Sequence, residues 1–169
     1  MANRHESFDA AEMLEGLDKL EAAREPVARA MGYAMASAVR DEAKLRVPVG
    51  TEFGGSLTPG LLRSALYAAY DERRNVLNPN IYRYVVSWNH EKAPHGHLVE
   101  FGHWMPYIYA TDTQGNFWTV RPHIEQPNGP VWVAAEPFLG PAFDSQLPSL
   151  MRIAIPAGKA KFVEVTSGR

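Results

Sequence analysis

The side chains with the greatest capacity for chemistry fall in one short stretch, Ala93-Pro94-His95-Gly96-His97-Leu98-Val99-Glu100-Phe101-Gly102-His103-Trp104. Histidine and glutamate are the residues that a divalent metal or a general acid–base pair uses. On a helix His97, Glu100 and His103 follow one another along one stripe, and His95 or His90 supplies a further ligand for a zinc-type site. A small metal-dependent hydrolase using this His/Glu cluster is therefore one expectation. Spacing weighs against it: metallohydrolase helices put two histidines four apart with a glutamate between them, whereas His97 and His103 are six apart and Gly102 intervenes. No cysteine is present to complete a softer site. The favoured reading makes the histidines exposed or hydrogen-bonded and Glu100 a capping or pairing acid, with no catalytic residue, metal or cofactor assigned.

The elements that must hold this stretch follow from its flanks. Pro94 suits the first turn of a short helix and Gly102 the left-handed position that ends one. Between them Leu98 and Phe101 share a face and are expected to pack inward. Upstream, Asp9 and Glu12 form a capping box, and Met13, Leu14, Leu17 and Leu20 recur at helical spacing in an acidic first helix, residues 1–25. Pro26 predicts a break, after which Val27, Ala30, Met31, Ala34, Ala38, Val39 and Leu45 line a second helix that Pro48 stops. A Gly-, Thr- and Ser-rich loop and a Thr58-Pro59 start lead to a short helix over 60–66, with 67–70 extended. Residues 81–88 are dense in aromatic and β-branched side chains and follow a turn at 78–80, which predicts one strand of an antiparallel pair.

Residues 104–135 form an aromatic-rich insertion. In it 107–110 and 117–120 flank a polar tip at 112–116, the pattern of a projecting hairpin arm. Tyr107, Ile108, Tyr109, Phe117, Trp118 and Val120 are its candidate interface residues, because a hairpin alone is marginal and must bury its apolar surface on something. Pro122, Pro127 and Pro130 then stiffen the connection. A final helix is expected over 147–155 despite breaks at Pro141 and Pro148, followed by a flexible tail over 157–169.

Composition narrows the function classes. A chain of 169 residues, 46% hydrophobic, supports one domain with a core. A net charge of −2 without a basic patch argues against a generic nucleic-acid binder. The absence of cysteine removes disulfide and thiol chemistry, and no apolar run resembles a signal peptide or a membrane span, so a soluble cytoplasmic protein is expected. No phosphate loop, nucleophile elbow or base-paired serine is present; Ser64 and Ser87 have no base placed beside them by spacing. The fold class predicted is α+β: long N-terminal helices packed on a small antiparallel sheet, with a hairpin arm and a C-terminal helix.

Three motifs carry a resemblance. Ala43-Lys44-Leu45-Arg46-Val47-Pro48-Val49 followed by Gly60-Leu61-Leu62-Arg63-Ser64-Ala65, then His97-Leu98-Val99-Glu100-Phe101-Gly102, then Pro137-Phe138-Leu139-Gly140-Pro141-Ala142-Phe143 occur in that order. The combination resembles the tail-completion or head-tail joining proteins of long-tailed bacteriophages. It departs from that pattern at His103, where the family has Thr, and in the roughly thirty residues before the third motif. Arg63, Glu100, Phe101, Gly102, Pro137, Phe138 and Pro141 are the motif positions. The resemblance implies a structural virion protein without enzymatic activity, made in the host cytoplasm and placed in the neck. There it forms a ring with itself and meets the tail tube or tail terminator protein on one side and the head connector protein on the other. It has no membrane partner, and DNA passes only as cargo.

Overall fold

The computed structural model describes residues 10–49, 59–72, 81–111, 117–119 and 124–167. Asp9 of the capping box, the Thr58 start, the turn at 78–80, the polar tip at 112–116, Val120 and Pro122 lie outside them. The fold is α+β: a long N-terminal helix and a C-terminal helix accompany two-stranded antiparallel sheets. No described helix is long and apolar enough to cross a membrane.

Helix α1 (Ala10–Arg46) is continuous, so the two helices expected on either side of Pro26 are one. A proline removes one intrahelical hydrogen bond, here the one to the Ala22 carbonyl, and Ala22 is exposed, so water can take that carbonyl. The helix is about 55 Å long. Its inward stripe in the C-terminal half is Ala36, Val39 and Ala43, continued by Val47 just past its end, all buried, whereas Leu45, expected on the packing side, is 76% exposed.

Gly60, in a left-handed conformation (φ 78°), starts α2 (Leu61–Ala65), which runs directly into β1 (Leu66–Tyr70). Strand β1 pairs antiparallel with β2 (Tyr84–Trp88), Ala68 opposite Val86. The Asn89 side chain then accepts hydrogen bonds from the Glu91 and Lys92 amides and turns the chain into α3 (Gly96–Phe101). Gly102 ends α3 with φ 70° and ψ 172°, a region open only to glycine and different from the left-handed cap expected. On α3 the expectation for Phe101 fails: it is 71% exposed, and the inward position belongs to Glu100.

Beyond Gly102 the chain forms a two-stranded ribbon of three antiparallel segments. Strand β3 (His103–Met105) pairs with β6 (Val131–Val133), Tyr107 bridges to Glu125, and β4 (Tyr109–Thr111) pairs with β5 (Phe117–Thr119). The expected hairpin is present but shifted: Tyr107 and Ile108 face 124–126 rather than 117–120, the Ile108 amide donating to the Ile124 carbonyl at 2.8 Å. Pro106 and Gln126 also pair, so the four residues 127–130 have no counterpart on the outgoing strand. They bulge out around Gly129, whose amide donates to the Gln126 carbonyl.

Helix α4 (Leu139–Gln146), a single 3-10 turn (Leu147–Ser149) and α5 (Leu150–Ser167) complete the fold. Two expectations are corrected here. Pro141 is no break, because it lies in the first turn of α4, where its missing N–H has no intrahelical acceptor. Residues 157–167 are no tail, because they form the second half of α5, which packs antiparallel along α1. Gly158 is the close-approach point: a Cβ there would lie 2.8 Å from the Met31 side chain.

The core joins α1, α2, the β1–β2 sheet, α3 and α4. Ala43 and Val47 of α1, Leu62, Ala65 and Leu66, Trp88, Ala93, Phe138 and Ala142 form one buried cluster, with Val99 and Leu139 packed against it. Phe138 is fully buried, its ring edge-on to Trp88 at 5.9 Å between centroids.

Candidate functional site

Helix α4 begins with an unmet need. Its first amides have no intrahelical acceptors, and the position that a capping side chain occupies is filled by Phe138, which is anchored in the core and has no oxygen to offer. Glu100 supplies the cap from another helix. Its Oε2 accepts hydrogen bonds from the Phe138 amide at 2.8 Å and the Leu139 amide at 3.1 Å, and its Oε1 accepts from the Gly140 amide at 3.3 Å. A carboxylate there also meets the positive end of the helix dipole. Glu100 is 8% exposed, and both its oxygens are held by backbone donors.

That anchoring takes Glu100 out of any His/Glu cluster, and of the described histidines only His95 and His103 share a groove. His90 stacks on Trp88 with ring centroids 4.9 Å apart, and His97 is exposed. His95 and His103 line a separate groove of about 410 Å³ together with Leu61, Leu98, Val133 and Glu136. Their Nδ1 atoms are buried and have no hydrogen-bond partner among the described residues. Burial, reinforced by neighbouring His97, lowers the His95 pKa below the ordinary imidazole value. Among the described residues no three His, Asp or Glu side chains gather as a metal site would require.

The motif positions fall into two groups. Glu100, Phe138, Pro141 and Gly102 are placed together at the junction of α3, α4 and the ribbon root, while Arg63, Phe101 and Pro137 are exposed around it. Gly102 is pressed against the return strand, where a Cβ would lie 2.7 Å from the Val133 carbonyl oxygen. The Glu136 amide donates to the Val99 carbonyl at 2.8 Å, so both ribbon roots attach to α3.

Of the candidate interface residues, Tyr107 and Ile108 are half-buried in the ribbon, and Tyr109, Phe117 and Trp118 are placed by backbone pairing. Sequence reasoning missed Trp104 and Trp132. They sit directly opposite each other, ring centroids 5.2 Å apart, and both are exposed. The signal was a tryptophan on each side of the proline-rich stretch, at positions that only the displaced register brings together. No known protein family, curated protein or solved structure matches this chain.

Proposed function

We propose that this chain is a structural virion protein of a tailed bacteriophage, a tail-completion or head-tail joining component that joins the tail tube to the capsid connector in the neck. One observation carries the reading. The second and third sequence motifs, 36 residues apart from Gly102 to Phe138, are joined physically by Glu100 bonding to the amides of Phe138, Leu139 and Gly140. The first motif contributes Leu62 and Ala65 to the same core, so the shared residues act as architecture rather than as a reaction centre. The ribbon and its paired tryptophans provide apolar and aromatic surface for a neighbouring protein, the composition that interface centres favour.

The partners in this reading are further copies of the chain in a ring, the tail tube or tail terminator protein and the head connector protein. Co-expression with the proteins encoded beside its gene, followed by electron microscopy, tests it. The expected result is a ring seated on the end of tail tubes. A protein that binds no tail tube but holds one zinc per chain, lost in a His97→Ala and His103→Ala double variant, would overturn it in favour of the metal-dependent hydrolase.

A further inference from the structure

Helix α1 outruns its partner. Gly158 of α5 lies against Val27 and Met31, while Gln146, at the end of α4 shortly before α5 begins, reaches Glu42, so α5 runs antiparallel to α1. Residue for residue, the last turn of α5 draws level with about Leu20, and α1 continues a further ten residues or so, about 15 Å, beyond it. At 3.6 residues per turn Met13, Leu17 and Leu20 lie within about 60° of one another and in line with Val27 and Met31. The face that α5 covers on α1 therefore continues past the last described residue of α5, and these three side chains are between 47% and 53% exposed.

Helix α5 carries a second open stripe. Met151, Ile155 and Phe162 fall within about 40° of one another on its flank and are between 38% and 60% exposed. The charges beside the two stripes are opposite. Among the described side chains of the overhang Lys19 is paired to Glu15, which leaves Glu21 next to the stripe and Asp18 farther round on the same side; on α5 Lys161 is paired to Glu164, which leaves Arg152 and Lys159. On each helix these unpaired charges lie on the same rotational side of the apolar stripe. Two antiparallel helices facing each other bring such flanks together, acid against base.

We propose that the overhang of α1 docks antiparallel on the Met151–Ile155–Phe162 stripe of α5 in a second copy of this chain. The two patches are different surfaces, so the contact is head-to-tail and propagates from copy to copy, closing into a ring when the rotation permits. Its place in a virion rests on the neck reading above, but the contact itself stands on the two stripes and their charges.

The chain has no cysteine, which makes thiol cross-linking specific. Leu17→Cys and Ile155→Cys are prepared as single variants and treated with a short bismaleimide, separately and mixed; the double variant is treated alone. In one molecule these positions are roughly 20 Å apart along α1, beyond the linker. The expected result is a linked dimer only in the mixture, a ladder of higher species from the double variant, and loss of that ladder when Leu20→Glu is added while circular dichroism is unchanged. Linking of Leu17→Cys by itself would overturn the proposal, because overhangs would then pair with each other. A chain that sediments as a monomer and links in no combination would also overturn it, leaving the overhang to a different protein. Tail-tube binding without cross-links sinks this contact alone, and cross-links without tail-tube binding sink the neck reading alone.

Discussion

Replacing Glu100 tests whether a side chain from α3 holds the start of α4. In Glu100→Ala three amides lose a charged acceptor, each such bond contributing about 1.5–3 kcal/mol. The losses do not add in full. Phe138 is fully buried, so its amide is left without water, while Gly140 is exposed and can turn to solvent. The expected cost is therefore about 3–4 kcal/mol, near the value for one stranded buried donor plus one weakened bond. Glu100→Gln keeps one oxygen for the Phe138 and Leu139 amides and turns an NH2 toward the Gly140 amide, which predicts a smaller cost of about 1–2 kcal/mol. For a chain of this size each kcal/mol lowers Tm by roughly 2–4 °C. Urea unfolding monitored by tryptophan fluorescence measures both variants, and amide exchange at Phe138 locates the change. An Ala variant within about 0.5 kcal/mol of the parent would refute the reasoning. Equal losses for Gln and Ala would assign the effect to charge rather than to the positions of the acceptors.

Phe138→Ala should cost about 3–5 kcal/mol by chemical denaturation, and Phe101→Ala no more than about 0.5, because the first side chain is fully buried and the second is 71% exposed. Gly96→Ala should destabilise by about 1–3 kcal/mol although alanine favours helix, because its Cβ would clash with the rigid Trp88 indole; a higher Tm would show that the indole gives way. The native pKa of His95 lies below its ordinary value near 6.5, so between the two the unfolded chain binds more protons and stability falls as pH drops below 6.5. Urea midpoints between about pH 7.5 and 5.5 should decline less steeply in His95→Gln, and an unchanged slope would remove His95 from the acid response.

The helical layer was legible wherever local signals and packing agreed. Pro48 stops a helix as expected, the extended run expected over 67–70 spans 66–70, and the strand expected over 81–88 spans only 84–88. Prolines misled, because their effect depends on position: Pro141 begins a helix, while Pro26 and Pro156 are carried inside long helices by packing against a partner. Phe101 and Glu100 are a second case. Hydrophobicity assigned the aromatic ring to the core, but the three waiting amides of α4 made the neighbouring carboxylate the better buried group, and that demand lies 38 residues away in sequence. Of the ribbon only the outer hairpin was visible, as two aromatic segments about a polar tip; the β3–β6 pair was not, because the bulge at 127–130 shifts the return strand by four residues.

The two ribbon roots give the molecule a defined route for mechanical load. Tension applied near the outer pair of strands, Tyr109–Thr111 and Phe117–Thr119, runs down both strands to Gly102 and Glu136. The outgoing root ends on the six-residue helix that carries Glu100, so its pull passes through three hydrogen bonds into α4, while the return root continues along the chain through Pro137 into α4 itself. The bulge around Gly129 is slack on the return strand only, so the outgoing strand, which has none, takes up the load first and passes it to the clamp at Glu100. A displacement at the far end would thus reach α3 first through Gly102, the return strand taking up its share only once its bulge has straightened.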